Sequence, residues 1–308
     1  MSRTEDTIAS QEGIAILIPC YNEEQTVARV VEQFHRELPG ARVYVFDNNS
    51  TDRTAAEAER AGAIVYSEQR KGKGYVAQAM FREIESNFYV MVDGDGTYPA
   101  AAVHRLLAPI VAGSADMVIG SRLHAESRSQ FRQLNRVANR LVRAALNLIF
   151  GVRLTDILSG YRAFNRKFVK GVPLFGGGFE IETELTIKAI QRGYRVQEIP
   201  IDLSPRPAGS HSKIHFMRDG FLILNTTLAL FRDYKPLTFF GGIGIFFMLL
   251  ALGPGLLVIF DFVSEGAPRV TLAILAVGLV LCGLLAMIAG LVLHSIARRS
   301  QEFEYQIQ

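Results

Sequence analysis

Two runs near the carboxyl end, 237–260 and 270–293, contain no Asp, Glu, Lys or Arg. Each is about two dozen residues long, which as a helix is enough to cross a hydrocarbon core of roughly 30 Å. We therefore expect two transmembrane helices. The connector 261–269 is short and slightly acidic, whereas His294, Arg298 and Arg299 follow the second run, so the positive-inside rule predicts a cytoplasmic tail. Two spans return the amino-terminal part to that same side, and the connector is too short to hold a domain. The chemistry must then lie in residues 1 to about 235.

The net charge over 308 residues is only +3, too little bulk basicity to predict a nucleic-acid partner. The first twelve residues are polar and mixed in charge, unlike a secretory signal. Cys20 and Cys282 fall in dissimilar surroundings, which argues against a disulfide and fits a reducing compartment.

Residues 14–18 form a continuous apolar run, the pattern of a strand covered on both faces. A helical pattern follows through Val27, Val30, Val31, Phe34 and Leu38, with Asn22 expected as N-cap and Glu23 and Glu24 in the first turn. Strands near 42–46 and 63–66 alternate with helices ending near Arg60 and Glu85. Such alternation predicts an α/β fold with a mostly parallel sheet and helices on both faces. Ligands bind such sheets at the carboxyl ends of the strands, where the polar clusters 20–23, 47–52 and 93–95 fall.

The fourth strand runs straight into Asp93-Gly94-Asp95-Gly96. If the backbone stays extended, Asp93 and Asp95 face one side together, and paired carboxylates suit a hard divalent cation. A plain polar turn is the competing reading of Asp-Gly pairs. An EF-hand is excluded, because Tyr98 and His104 stand where its glycine and glutamate belong. A dinucleotide fold would need Gly-x-Gly-x-x-Gly after the first strand, where this chain has Pro19-Cys20-Tyr21-Asn22-Glu23-Glu24. Lys71-Gly72-Lys73-Gly74 lacks the spacing of a Walker loop.

These segments, with Asp47-Asn48-Asn49-Ser50-Thr51-Asp52, resemble the ordered motifs of family 2 glycosyltransferases of GT-A fold. Gly120-Ser121-Arg122, Ser159-Gly160-Tyr161-Arg162 and Glu198-Ile199-Pro200 are similar to its polyprenyl-phosphate branch, which includes the dolichyl-phosphate mannose synthases. The resemblance implies that Pro19, Tyr21, Glu23 and Asp47 hold the nucleotide, and that Lys73, Arg206 and Lys213 also serve the donor. It implies that Asp93 and Asp95 bind Mg2+ or Mn2+ on the donor diphosphate. Where the mannose synthases carry a glutamine two residues after the second aspartate, this chain has Thr97. Acceptor-phosphate contacts correspond to Arg122, Arg136 and Arg162, and the acidic candidates for a base or sugar partner are Asp156 and Glu182.

Arg132, Arg136, Arg140 and Arg143 recur at helical spacing within 131–150, predicting an amphipathic helix suited to an anionic membrane surface. The expected organisation is a catalytic domain over 1–210, a second interfacial helix over 211–235, two spans within 236–296 and a tail over 297–308. The expected activity is metal-dependent, inverting transfer of one sugar from a nucleotide sugar to a polyprenyl phosphate. It would occur at the cytoplasmic face of a membrane, most simply a bacterial inner membrane, with a homo-oligomer left open. A processive polysaccharide synthase and a catalytically silent scaffold are the rival readings.

Overall fold

The computed structural model describes residues 13–122, 147, 151, 154–178, 180–203, 216–267 and 269–307. Seven strands form one sheet: β1 (Ile14–Cys20), β2 (Arg42–Asp47), β3 (Ile64–Ser67), β4 (Phe88–Met91), β5 (Met117–Ser121), β6 (Arg162–Asn165) and β7 (Val196–Pro200). Their order is β3-β2-β1-β4-β6-β5-β7. Only β6 runs antiparallel to its neighbours, β4 and β5. The helices of this part are α1 (Val27–Glu37), α2 (Thr54–Arg60), α3 (Lys73–Glu83), α4 (Val103–Val111), α5 (Arg166–Gly171) and α6 (Ile181–Gln191).

The sheet is buried on both faces, as the apolar run of β1 predicts. Ile14, Ile16 and Ile18 pack with Val43, Val45 and Val90 against Val30, Val31 and Phe34 of α1 and Leu106 and Leu107 of α4. The alternate residues Ala15 and Leu17 join Tyr44, Phe46, Tyr89 and Met91 under α3, α5 and α6. This is the period-two alternation of a strand with apolar residues in both phases. Burying one such large side chain contributes about 1.5–3 kcal/mol, so two filled faces outweigh local propensity in fixing the sheet.

Sheet order reverses between β1, whose other neighbour is β2, and β4. That reversal opens the crevice at the carboxyl edge in which α/β folds take ligands. Two local expectations fail here. Helix α1 begins at Val27, not beside Asn22, so Glu23 and Glu24 precede it; Asn22 instead adopts φ of 52° in the connecting loop. Strand β4 ends at Met91, which places Asp93 and Asp95 on a turn instead of in an extended strand.

The mixed half of the sheet is tied together by Asp116. Its carboxylate accepts hydrogen bonds from the Arg195 backbone and guanidinium at 2.9–3.1 Å and from Asn165 Nδ2 at 2.8 Å. Burial alone would push this carboxyl up, but those donors outweigh it and hold it at about 2.

Contacts divide the chain into two units, 1–227 and 228–308. Helix α7 (Phe216–Tyr234) is followed by α8 (Pro236–Glu265) and α9 (Val270–Ile307). Within the second unit α8 and α9 pack through glycines: a Cβ at Gly244 or Gly283 would strike backbone or methionine of the facing helix. Segments Pro236–Glu265 and Val270–Arg299 each contain an 18-residue window, of mean hydropathy 2.6 and 2.8 respectively, and are long and apolar enough to cross a membrane. Arg269 pairs with Asp261 at 3.0 Å beside the connector. The predicted helix 131–150 lies, apart from Asn147, outside the described residues.

Because the Asp116 carboxyl is depressed in the fold, its contribution is complete above the unfolded carboxylate value near 3.8 and is lost as pH falls toward about 2. Asp116→Asn should cost about 1–2 kcal/mol of stability at neutral pH. In thermal melts followed by circular dichroism, the difference from the parent chain should shrink as the pH is lowered through that window.

Candidate active site

The loop after β1 and the loop after β2 are stitched into one ledge. Asn22 N–H donates to Ser50 Oγ (2.9 Å), Thr51 N–H returns to Asn22 Oδ1 (2.7 Å), and Glu23 N–H donates to Thr54 Oγ1 (2.7 Å). Glu24 N–H reaches Asp52, while Arg53 N–H reaches Glu24. Asn48 extends the ledge: its Nδ2 donates to the Glu68 and Arg70 carbonyls, and its Oδ1 accepts from Gly72 N–H. Tyr21 projects into solvent from this ledge.

Asp47 closes β2 and is 9% exposed. Its Oδ2 accepts from Ser50 N–H, but its Oδ1 is buried with no hydrogen-bond partner among the described residues. A buried carboxylate oxygen left unpaired is costly, and a ligand N–H supplied at this position would relieve that cost.

At the next strand end, Thr26 donates its hydroxyl to the Gly94 carbonyl (2.7 Å) and so pins the Asp93–Asp95 turn to the start of α1. Asp95 Oδ1 accepts from both the backbone and the hydroxyl of Thr97. Thr97 therefore orients the second aspartate. Asp93 lies against Gly160, where a Cβ would collide with its carboxylate.

Lys73 is the hinge of the site. Its ammonium meets Asp93 Oδ1 and Glu182 Oε1, both at 2.5 Å, joining α3, the aspartate turn and α6. Burial opposes its charge, yet the two carboxylates outweigh burial and hold Lys73 above its ordinary range. Of the three acids at the start of α6, Glu182 alone bonds into this centre. Glu180 and Glu184 accept backbone N–H groups of 175–178. The two glycines around Lys73 are there for close approach: a Cβ on Gly72 or Gly74 would run into the backbone at Gly176 and Gly177. The Lys-Gly-Lys-Gly segment is thus a backbone-to-backbone contact that delivers one lysine.

Arg122 follows β5 and is gripped by Asp156, with Nε to Oδ2 at 2.7 Å and Nη2 to Oδ1 at 2.8 Å. Burial opposes the Arg122 charge, but Asp156 and Asp93 sustain it above its usual range. Burial likewise opposes ionisation of Asp156, while Arg122 holds its carboxyl below the usual range. Both Asp156 oxygens are thus engaged by Arg122, so the carboxylate expected as a base or sugar partner here orients an arginine. Glu198 in turn accepts the Thr155 and Asp156 N–H groups at 2.8–2.9 Å. Burial pushes the Tyr98 phenol above its usual range; Asp93 adds to the rise while Arg122 and Lys73 oppose it.

Arg162 departs furthest from expectation. It is 0% exposed, and its guanidinium donates to the Ser159 and Ile157 carbonyls and to Thr186 Oγ1. Burial lowers it to about 10, so it stays charged at neutral pH, but it offers no surface to an acceptor phosphate. Arg136, Arg206 and Lys213 lie outside the described residues.

Among the described residues no group of three or more His, Cys, Asp or Glu side chains converges as a metal cage. Asp93 and Asp95 still offer the hard oxygen ligands a divalent cation prefers, and such an ion commonly completes its shell with water and substrate phosphates. The donor set fits that kind of shared site.

The model of glycosyl transferase family 2 matches residues 15–172. A curated relative, glycosyltransferase AglJ of Haloferax volcanii, is 36% identical over 283 residues, covering 91% of this chain and 92% of the relative. Polyprenol monophosphomannose synthase of Mycolicibacterium smegmatis is 28% identical over 219 residues, covering 66% of this chain and 82% of that one. Among solved structures, glucosyl-3-phosphoglycerate synthase of Mycobacterium tuberculosis, in complex with Mn2+, UDP and phosphoglyceric acid, aligns with a TM-score of 0.62. That alignment has 20% identity and covers 75% of this chain and 83% of the other, a likeness of fold. The fold is GT-A-like, and the family match with its relatives defines a glycosyltransferase. The chain belongs to glycosyl transferase family 2.

Gly74→Ala should destabilise the protein by about 1–3 kcal/mol, the usual cost of overpacking, because a backbone carbonyl cannot rotate aside as a side chain can. A lowered thermal midpoint in detergent checks this, and an unchanged midpoint would show that the 176–177 loop yields freely.

Proposed function

We propose that this enzyme transfers a single sugar from a nucleotide-sugar donor to a polyprenyl phosphate, with the catalytic unit on the cytoplasmic side of a membrane. The observation that carries the reading is the Arg122–Asp156 pair next to the aspartate turn, in a chain that also has two helices long enough to span a bilayer. A relative named as a polyprenol monophosphomannose synthase supports the acceptor class, and a structural neighbour crystallised with Mn2+ and UDP supports the donor class.

On this reading Asp47 receives an N–H of the nucleobase on its unpaired oxygen, with Pro19, Tyr21 and Glu23 on the same ledge. Asp93 and Asp95 would hold Mg2+ or Mn2+, which when bound neutralises charge on the departing diphosphate. Lys73 would add a fixed positive charge beside it, paired as it is with Asp93 and Glu182. The acceptor phosphate has a second pKa of about 6 and is largely dianionic at neutral pH, so it needs cations to hold it more than a base to activate it. Arg122, with its side chain 28% exposed and its Nη1 outside the Asp156 pairing, supplies one. Arg136 is proposed as a further acceptor-phosphate contact, and Arg206 and Lys213 as contacts of the donor. Positioning two anions for in-line attack is catalysis by orientation.

Full-length protein in detergent, with Mg2+ or Mn2+, undecaprenyl phosphate and a panel of nucleotide sugars, should yield one chloroform-soluble lipid carrying one sugar by mass spectrometry. A product that grows into a polymer would favour a processive synthase, and donor hydrolysis without lipid product would point to another acceptor. Asp95→Ala should reduce turnover by at least about a hundredfold, as expected on losing a preorganised charge contact, while leaving the circular dichroism spectrum unchanged. Full activity in that variant would overturn the metal assignment.

A further inference from the structure

We infer that Glu198, on edge strand β7, is a positioning residue for Arg122, acting through the backbone of Thr155 and Asp156. The inference rests on the proposed reading of Arg122 as the acceptor-phosphate cation.

An edge-strand glutamate ordinarily points into water and does little. Glu198 is half-buried, and its carboxylate is filled from inside the chain. Oε1 accepts Thr155 N–H (2.9 Å) and Asp156 N–H (2.8 Å), while Oε2 accepts Thr155 N–H (2.9 Å) and the Thr155 hydroxyl (2.8 Å). Thr155 Oγ1 in turn lies 3.3 Å from Ser121 Oγ; because the threonine proton is given to Glu198, the serine is the donor in this pair.

These contacts matter because 154–160 belongs to no helix or strand, so no ladder fixes where Asp156 points. Asn147 holds Leu154 at one end and Gly120 and Tyr98 hold Ser159 and Gly160 at the other, and two groups act between them. Glu198 takes N–H groups at 155 and 156, and buried Arg162 gives hydrogen bonds to the carbonyls of 157 and 159. Asp156 then receives the Arg122 backbone N–H as well as both guanidinium bonds. Pairing of β5 with β7 sets Glu198 opposite Ile119, three residues before Arg122, so the clamp and the arginine ride on neighbouring strands. Charge-assisted bonds of this kind are short and directional, and a guanidinium displaced by about 1 Å can cost on the order of a hundredfold in rate.

Glu198→Gln keeps the shape but turns one oxygen into a donor facing the Thr155 and Asp156 N–H groups. With the full-length enzyme in detergent, undecaprenyl phosphate as acceptor and the nucleotide sugar found active in the panel, the apparent KM for the acceptor should rise about tenfold or more. The KM for the donor, and UDP or GDP binding by calorimetry, should change less than twofold. Added to Arg122→Lys, the same change should have little further effect, because lysine has no fork for Asp156 to hold. If Arg122→Lys raises the acceptor KM and Glu198→Gln does not, this inference falls and the acceptor reading stands. If Arg122→Lys leaves the acceptor KM unchanged, the acceptor reading fails and takes the inference with it. A rise in donor and acceptor KM alike would mark Glu198 as a general structural clamp and also overturn the proposal. Should Glu198→Gln fail to fold, Glu198→Asp keeps the charge on a shorter reach, and the same comparison decides.

Discussion

A buried ammonium cannot stand alone, and the site is built around that fact. Lys73 is largely withdrawn from water, its side chain 12% exposed, so its charge is best kept with carboxylates within contact distance. Asp93 comes from the end of β4 and Glu182 from the first turn of α6, positions 20 and 109 residues away along the chain. One interaction thereby joins the first half of the sheet to the last helix of the catalytic unit. One lysine between two carboxylates leaves an excess negative charge, and Asp95 on the same turn adds to it. On the proposed reading that excess is the electrostatic condition for a divalent cation to settle there in preference to a second lysine.

The sheet was legible because its constraint is local. Apolar residues in both phases of β1, β2 and β4 declare burial on both faces, and the polar clusters then fall at strand ends without further assumption. The insertion of β6 between β4 and β5, against the direction of both, was not visible. A four-residue strand reading Arg-Ala-Phe-Asn carries an arginine where the eye expects a surface. Arg162 was misjudged for the same cause: composition favours exposure for arginine, and only the fold reveals three acceptors waiting for it.

The site residues divide along similar lines. Asp47, Asp93 and Asp95 announce themselves by lying directly after apolar strands. The partners that aim them do not, because Ser50 with Asn22, Lys73 with Glu182 and Glu198 with the 155–156 backbone are pairings between distant segments. Asn22 looked like a cap since asparagine before a helical pattern commonly is one; its actual left-handed backbone serves the ledge instead. In the second unit the length of the apolar runs was plain, whereas the choice of Gly244 and Gly283 over other glycines as the touching pair depends on how the two helices pack.

The ledge formed by the loops after β1 and β2 has an evolutionary corollary. Its donors and acceptors are matched across the two loops, from Asn22 with Ser50 and Thr51 to Glu24 with Asp52 and Arg53. A substitution on one side strands a polar group on the other. The two loops should therefore covary among homologues and be inherited as a unit, so that grafting a relative's first loop succeeds only when its second loop travels with it.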